Sequence, residues 1–200
     1  MSQYRAYLLY LRRVLRHKWY VFRECCRLGI PFLGLVHDSS KLLPSEFFPY
    51  ARWFYGQRIR VTIGSANGFK RGDVIRAGFP GINAQEFVVV EEGSTIELLP
   101  REARDDFDVA WLHHQKRNRH HWQYWHLYQD EDPDKVLSMP DRYRKEMLAD
   151  WRGAGRAYTG ADNTLEWYTG RREKMEQVLH PETREWIEQQ LGLCAYEEIE

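Results

Sequence analysis

From residue 3 to residue 28, apolar side chains recur at steps of three and four in two rows. One row is Leu8, Leu11, Leu15 and Phe22, and the other is Tyr10, Val14, His17, Val21, Cys25 and Leu28. That period predicts one long helix, and the second row carries His17 towards the interior. Gly29 is a natural stop, and Pro31 opens a short helix through Phe32, Leu35 and Val36 that delivers His37 and Asp38 at its end. Ser45 is a suitable N-cap for an aromatic helix from Phe47 to Tyr55, closed by Gly56.

The period then changes. Arg58 to Ile63, Asp73 to Arg76, Glu86 to Val90 and Thr95 to Leu99 are rich in β-branched residues and separated by glycines, including Asn67-Gly68. They predict a small β insertion of hairpins, serving as a lid, a substrate wall or an oligomer contact. Helical spacing returns after Pro100, where Phe107, Ala110, Trp111 and His114 share a face. Asn118 breaks that helix, and His120 to Tyr128 reads as another, with His121 rather than His120 on the inner face beside Trp125. Ser138, Pro140 and Asp141 mark a further start, after which Tyr143, Met147, Asp150 and Ala154 form one line, with Glu146 on a neighbouring line, either behind the ligands or at the surface. Thr164 caps a helix to about Leu179, His180 precedes the last helix from Pro181 to Leu191, and the acidic tail from Glu197 frays. The prediction is a mainly α fold with a small β insertion, a single domain over residues 1–200 with the β-rich part at about 57–100.

Composition narrows the function classes. The 29 basic and 29 acidic residues cancel, so no general nucleic-acid grip is expected. Cys25, Cys26 and Cys194 offer neither a disulfide framework nor a zinc-ligand spacing, which fits a reducing, cytoplasmic setting. Arginines interrupt the first apolar residues, and no apolar run approaches the ~20 residues of a membrane span, so neither a secretory signal nor a membrane partner is expected. Eight tryptophans and twelve tyrosines supply core rings and material for a stacking pocket.

The candidate chemistry lies in the histidines and in the carboxylates on inward lines. His-Asp alone supplies two ligands for a hard or borderline ion, so others must come from elsewhere. A carboxylate on an otherwise apolar face, as at Asp150, requires a partner or an ion, since burying it alone costs several kcal/mol or more. Four imidazoles and two carboxylates, with Asp38 bridging, suit two divalent ions about 3.5 to 4 Å apart, a spacing that clamps a phosphoryl oxygen.

In chain order His17, His37-Asp38, His114, His120 or His121, and Asp150 resemble the HD-domain superfamily of metal-dependent hydrolases. In that superfamily a His, a His-Asp pair and a distal Asp surround one metal, and His17, His37, Asp38 and Asp150 match this minimal set. The extra histidines and Lys41 look like its binuclear branch, which includes HD-GYP phosphodiesterases and the mixed-valent diiron oxygenases related to inositol oxygenase. The likeness covers about residues 8 to 55 and 101 to 155, and the Gly-Tyr-Pro signature is absent. The strings around His37, Leu112 to Trp125 and Glu146 to Gly155 are similar to an uncharacterised family common in phage and bacterial genomes.

The resemblance implies an HD-like helical bundle holding two divalent metal ions, Fe or Mn, on His17, His37, Asp38, His114, His121 and Asp150. Asp38 and Lys41 would be catalytic, and Lys41, Lys116, Arg117 and Arg119 would bind a small-molecule phosphate substrate. The expected activity is hydrolysis of a nucleotide or related phosphate ester. A diiron oxygenase with the same ligands is the first alternative, and a non-catalytic phage or host interaction protein is the second.

Overall fold

The computed structural model describes residues 3–62, 68–93 and 95–193. Asn67 of the expected turn, Cys194 and the acidic tail lie outside them. The elements are α1 (Gln3–Arg27), α2 (Pro31–Val36), a 3-10 turn (Ser39–Leu42), α3 (Pro44–Tyr55), β1 (Ile59–Thr62), β2 (Val74–Phe79), β3 (Ile82–Glu91), β4 (Thr95–Pro100), α4 (Arg101–Arg117), a second 3-10 turn (Trp122–Trp125), β5 (His126–Leu127), β6 (Lys135–Val136), α5 (Asp141–Tyr158), α6 (Thr164–Thr169), α7 (Arg172–Val178) and α8 (Pro181–Gln190). The fold is mainly α with a small β insertion. The chain divides into two compact units, residues 1–12 with 40–114, and residues 13–39 with 115–200.

In the first unit the expected strands form one antiparallel sheet in the order β1-β4-β3-β2. Val61 pairs with Ile96, Val89 with Leu98 and Ile75 with Phe87, so alternate side chains gather on one face, where Phe87, Val89, Ile96 and Leu98 are buried. Glu97 is held by Arg58 at 2.9 Å and Arg60 at 2.7 Å, which keeps its carboxyl below the usual range. The aromatic helix packs as a ring cluster: Tyr10 of α1 meets Phe47 edge-on at 5.2 Å, and Trp53 stacks on Phe107 of α4 at 5.0 Å. Pro44 occupies the first turn of α3, so Leu43 and not Ser45 is the N-cap.

The second unit is built on the rest of α1 and on α5 to α8. Of the two apolar rows on α1, Val14, His17, Val21 and Cys25 are buried, while Leu15 of the other row is 53% exposed. Two glycines let neighbouring backbones reach α1. A Cβ on Gly34 of α2 would sit 2.6 Å from Cys25 Cβ and 3.0 Å from Phe22 Cα, and one on Gly153 of α5 would sit 2.9 Å from Val21 N. Met147, Leu148, Tyr168, Met175, Leu179 and Ile187 form the main core beyond.

Three local expectations are corrected here. Residues 120–128 do not form a helix: after the single 3-10 turn, His126 and Leu127 pair with Val136 and Lys135, and Trp125 O accepts from Leu137 N, so the ladder takes backbone groups a helix would need. The helix expected from Thr164 to Leu179 is two, α6 and α7, because Gly170 caps α6 with its N–H on Glu166 O. Ser138 does not cap α5. Its hydroxyl donates to Glu182 Oε2 at 2.7 Å, and Pro140 precedes the helix instead. His180 is the N-cap of α8, its Nδ1 accepting from Glu182 N at 3.3 Å.

Candidate metal centre

The second unit brings a set of imidazoles and carboxylates together through three backbone devices. The inward row of α1 carries His17. The end of α2 carries His37 in an extended conformation, followed by Asp38 at φ 51°, a left-handed residue that a short polar side chain tolerates better than most. Lys18 of α1 donates to His37 O and, at 3.3 Å, to Ser39 Oγ, which ties this turn to the helix that bears His17. On α5, Glu146 and Asp150 are four residues apart and therefore share a face.

Four donor atoms converge. His17 Nε2 lies 2.9 Å from Asp150 Oδ1, 3.4 Å from His37 Nε2 and 3.6 Å from Asp38 Oδ2, and His37 Nε2 lies 3.4 Å from Asp150 Oδ1 and 3.5 Å from Asp38 Oδ2. Ligand atoms about 2.1 Å from one ion are about 3.0 Å apart at octahedral right angles and about 3.4 Å apart in a tetrahedron. The observed separations span those values, so the four residues could hold a single ion. His120 and His121 each offer a nitrogen within 4.8 Å of an Asp38 oxygen and of each other. The two oxygens of Asp38 face different ways, Oδ2 towards His17 and His37 and Oδ1 towards His120 Nε2 at 3.4 Å.

Glu146 supports this arrangement from behind. Its Oε1 lies 3.0 Å from His37 Nδ1 and 3.3 Å from His120 Nδ1, so one carboxylate orients two rings and leaves both Nε2 atoms facing the donors. Burial opposes every charge here, yet the partners win at several positions. Burial alone would push His37 down, but Asp38, with Asp150 and Glu146, raises it to about 10. Burial likewise would raise Asp150 and Glu146, but bonds from His17 and His37 to the first, and from His120 and His37 to the second, hold both below the usual carboxylate range. His120 is lowered, first by burial and then by the charge on His37. Cys25, on the same inner row as His17, is pushed up to about 12 by burial with Glu146 and Asp150 adding, so its thiol stays protonated and the donors are imidazole and carboxylate.

The other residues singled out in the sequence fall as follows. His114 is buried on α4 in the first unit, where its Nδ1 lies 2.9 Å from Glu46 Oε2 and 3.1 Å from Ser40 Oγ. Lys41 is in that unit too, its Nζ 5.9 Å from the centre of the Tyr50 ring. Lys116, Arg117 and Arg119 are exposed. Arg119 is committed to tyrosines, donating to Tyr143 Oη at 3.1 Å and standing 5.7 Å from the Tyr124 and Tyr143 ring centres. His120 is 2% exposed and is the better buried of its pair, and His121, the one favoured from the sequence, stands beside it in the same donor group. Glu146, expected either behind the ligands or at the surface, takes the first of these places: it is 5% exposed and touches two of the histidines on their far side. Its spacing from Asp150 is the signal for that place. Glu46 had no comparable signal, standing in the first turn of α3 like an ordinary capping residue.

The profile of the family of unknown function DUF5662 matches residues 7–193. The chain belongs to that family. Every residue of the donor groups lies inside the matched DUF5662 region, as do the glycines that bring α2 and α5 against α1. Comparison with curated proteins and with solved structures found no match. No helix among the described residues is long and apolar enough to cross a membrane.

Proposed function

We propose that this chain is a metal-dependent phosphohydrolase acting on a nucleotide or related phosphate ester. The observation that carries the reading is the division of Asp38, one oxygen turned to His17 and His37 and the other to His120, as a carboxylate shared between two neighbouring ions would be. The order of the donors along the chain supports an HD-like centre. Nitrogen and oxygen donors without thiolate suit Fe or Mn. A pair of such ions supplies Lewis acidity and an activated water at neutral pH. The chain itself contributes orientation: Glu146 fixes the His37 and His120 rings, Lys18 fixes the turn that bears Asp38, and Asp150, with 17% of its side chain exposed, is the donor of the first group that solvent reaches.

The test is anaerobic incubation of Mn-loaded protein with a panel of nucleotides and phosphate esters, repeated with Fe-loaded protein in air. Phosphate release with Mn and without O₂ is the expected result. Turnover that demands both Fe and O₂ would replace hydrolysis with the oxygenase reading, which uses the same donors. A partner-binding role has an observation of its own, the exposure of Trp19 at 58%, Phe32 at 71% and Leu35 at 65% on the outer side of α1 and α2. A protein that binds metal stoichiometrically and turns over nothing under either regime would favour it.

A further inference from the structure

Solvent access to the first donor group is one-sided. His17, His37 and Asp38 are sealed, with side chains no more than 3% exposed, whereas Asp150 is open at 17%. Beyond Asp150 along the same side of α5 come Trp151, Ala154 and Tyr158, and these three line a cavity of about 250 Å³ whose far wall is Asn163 and Trp167. The cavity and the donor group share a wall. The Tyr158 ring stacks on His17 with centres 5.7 Å apart and planes at 16°, and Tyr158 is itself 45% exposed. Trp151 and Trp167 stand 5.1 Å apart at 52°, so two indoles and a phenol surround the space. The one side-chain amide of the lining, Asn163, sits at the N-cap of α6 but makes no capping bond there, and its Oδ1 lies close to Gly155 of α5. A packing fault in the core would be closed and lined by aliphatic groups. This space is open and lined by two indoles, a phenol and one side-chain amide, and the Tyr158 ring also carries the Arg13 guanidinium 3.9 Å from its centre.

We infer that this cavity is the subsite for a flat heteroaromatic ring of the substrate, with the ring's hydrogen-bonding edge turned to Asn163 and its phosphate ester reaching the donor group past Asp150. The inference rests on the phosphate-ester reading above and adds to it what the ester must carry. A volume of about 250 Å³ is below the about 300 Å³ at which sites for drug-sized ligands begin, so it takes one ring system and not a dinucleotide. Stacking on the indoles selects flatness, while an amide can pair with two adjacent groups on a ring edge.

The experiment uses the full chain and two pairs of probes. Adenosine and ribose, which carry no phosphate, are titrated by calorimetry and by the shifts of the tryptophan indole N–H signals. Adenosine 5′-monophosphate and ribose 5-phosphate are then compared as substrates of the Mn-loaded protein. The expected result is saturable binding of adenosine but not ribose, and a KM at least about tenfold lower for the aromatic ester at similar kcat. Ala154→Leu, which fills the cavity without removing a core ring, should abolish adenosine binding and erase the KM difference, with metal content unchanged. Asn163→Ala, at a helix boundary, is the second variant should the first not fold, and should weaken adenosine about tenfold. Adenosine binding without phosphate release from either ester would sustain the subsite and overturn the hydrolase. Equal KM values with no adenosine binding would overturn the subsite and leave the hydrolase standing.

Discussion

Glu146 offers the sharpest test of whether the buried cluster is a metal centre or a polar core. Its single Oε1 orients His37 at 3.0 Å and His120 at 3.3 Å, and the side chain is nearly sealed from water. Loss of a carboxylate that orients one metal-bound imidazole typically lowers metal affinity by about 10- to 100-fold, or about 1.4 to 2.7 kcal/mol. Glu146→Gln keeps an oxygen in place and removes the charge, so its effect should lie at the lower end, about tenfold. Glu146→Ala releases two rings at once and should reach about a hundredfold. The alanine variant also leaves buried N–H groups unmatched, a destabilisation of about 1 to 3 kcal/mol that a thermal melt will register.

A control separates the two effects. Glu24 is as deeply buried and is ion-paired with Arg27 and Arg156 in the same unit, but it touches no donor of the cluster. Glu24→Gln should lower the melting temperature and leave metal affinity intact. The assay is Mn titration against a competing chelator, with metal content of the purified protein as a second reading. If both Glu146 variants are folded and bind metal like the parent, or if Glu24→Gln weakens binding just as much, the assignment of Glu146 is refuted.

Asp38→Asn retains a residue that tolerates φ 51° and removes the charge, so it should fold and lose metal, whereas Asp38→Ala adds backbone strain of about 1 kcal/mol to the same loss; metal analysis beside circular dichroism distinguishes them. In the metal-free protein the raised His37 contributes stability that is fully present below its ordinary value of 6.5 and is lost as pH climbs towards about 10, while the depressed Asp150 and Glu146 contribute stability that is lost as pH falls through their lowered values. Melting temperature in chelator should therefore be greatest in mildly acid solution and decline towards pH 9, with added metal reversing the decline; a steady rise to pH 9 without metal would contradict the charge assignment. Gly153→Ala should push α5 from α1 at Val21, costing about 1 to 3 kcal/mol in stability and reducing metal affinity together, and a variant that melts like the parent would show the contact to be slack.

What the sequence made legible followed from strong periods. The inward row of α1 located His17, the apolar line of α5 located Asp150, and the β-branched runs located all four strands of the sheet. What it hid depended on competition between distant segments. Nothing local near His120 announces that Trp125, His126 and Leu127 will be claimed by residues 135–137, so aromatic residues expected in a helix form a turn and a strand, and both histidines of the pair reach the donor group. The α1 row that ends at Phe22 reads as apolar in sequence, yet Leu15 is open to solvent, because periodicity reports that a face is apolar and not what covers it. Glu146 stayed open between a place behind the ligands and the surface because a carboxylate on a helix is usually solvated, and only the position of His37 relative to α5 decides between them.

The close approach of α2 and α5 to α1 has a further meaning. Where Gly34 and Gly153 admit no side chain, the spacing of the three segments is set by glycine main chain against the backbone of Phe22 and Val21 and the short side chains of Cys25 and Val21, which have less freedom than long interleaved rotamers. His17, the His37-Asp38 turn and Asp150 inherit that rigidity. An ion arriving at such a preorganised set has little conformational entropy left to remove, so its binding energy goes into affinity and selectivity rather than into assembling the fold. Metal uptake should therefore resemble the docking of a ligand into a finished protein, unlike the coupled folding of small zinc domains that collapse only around their ion.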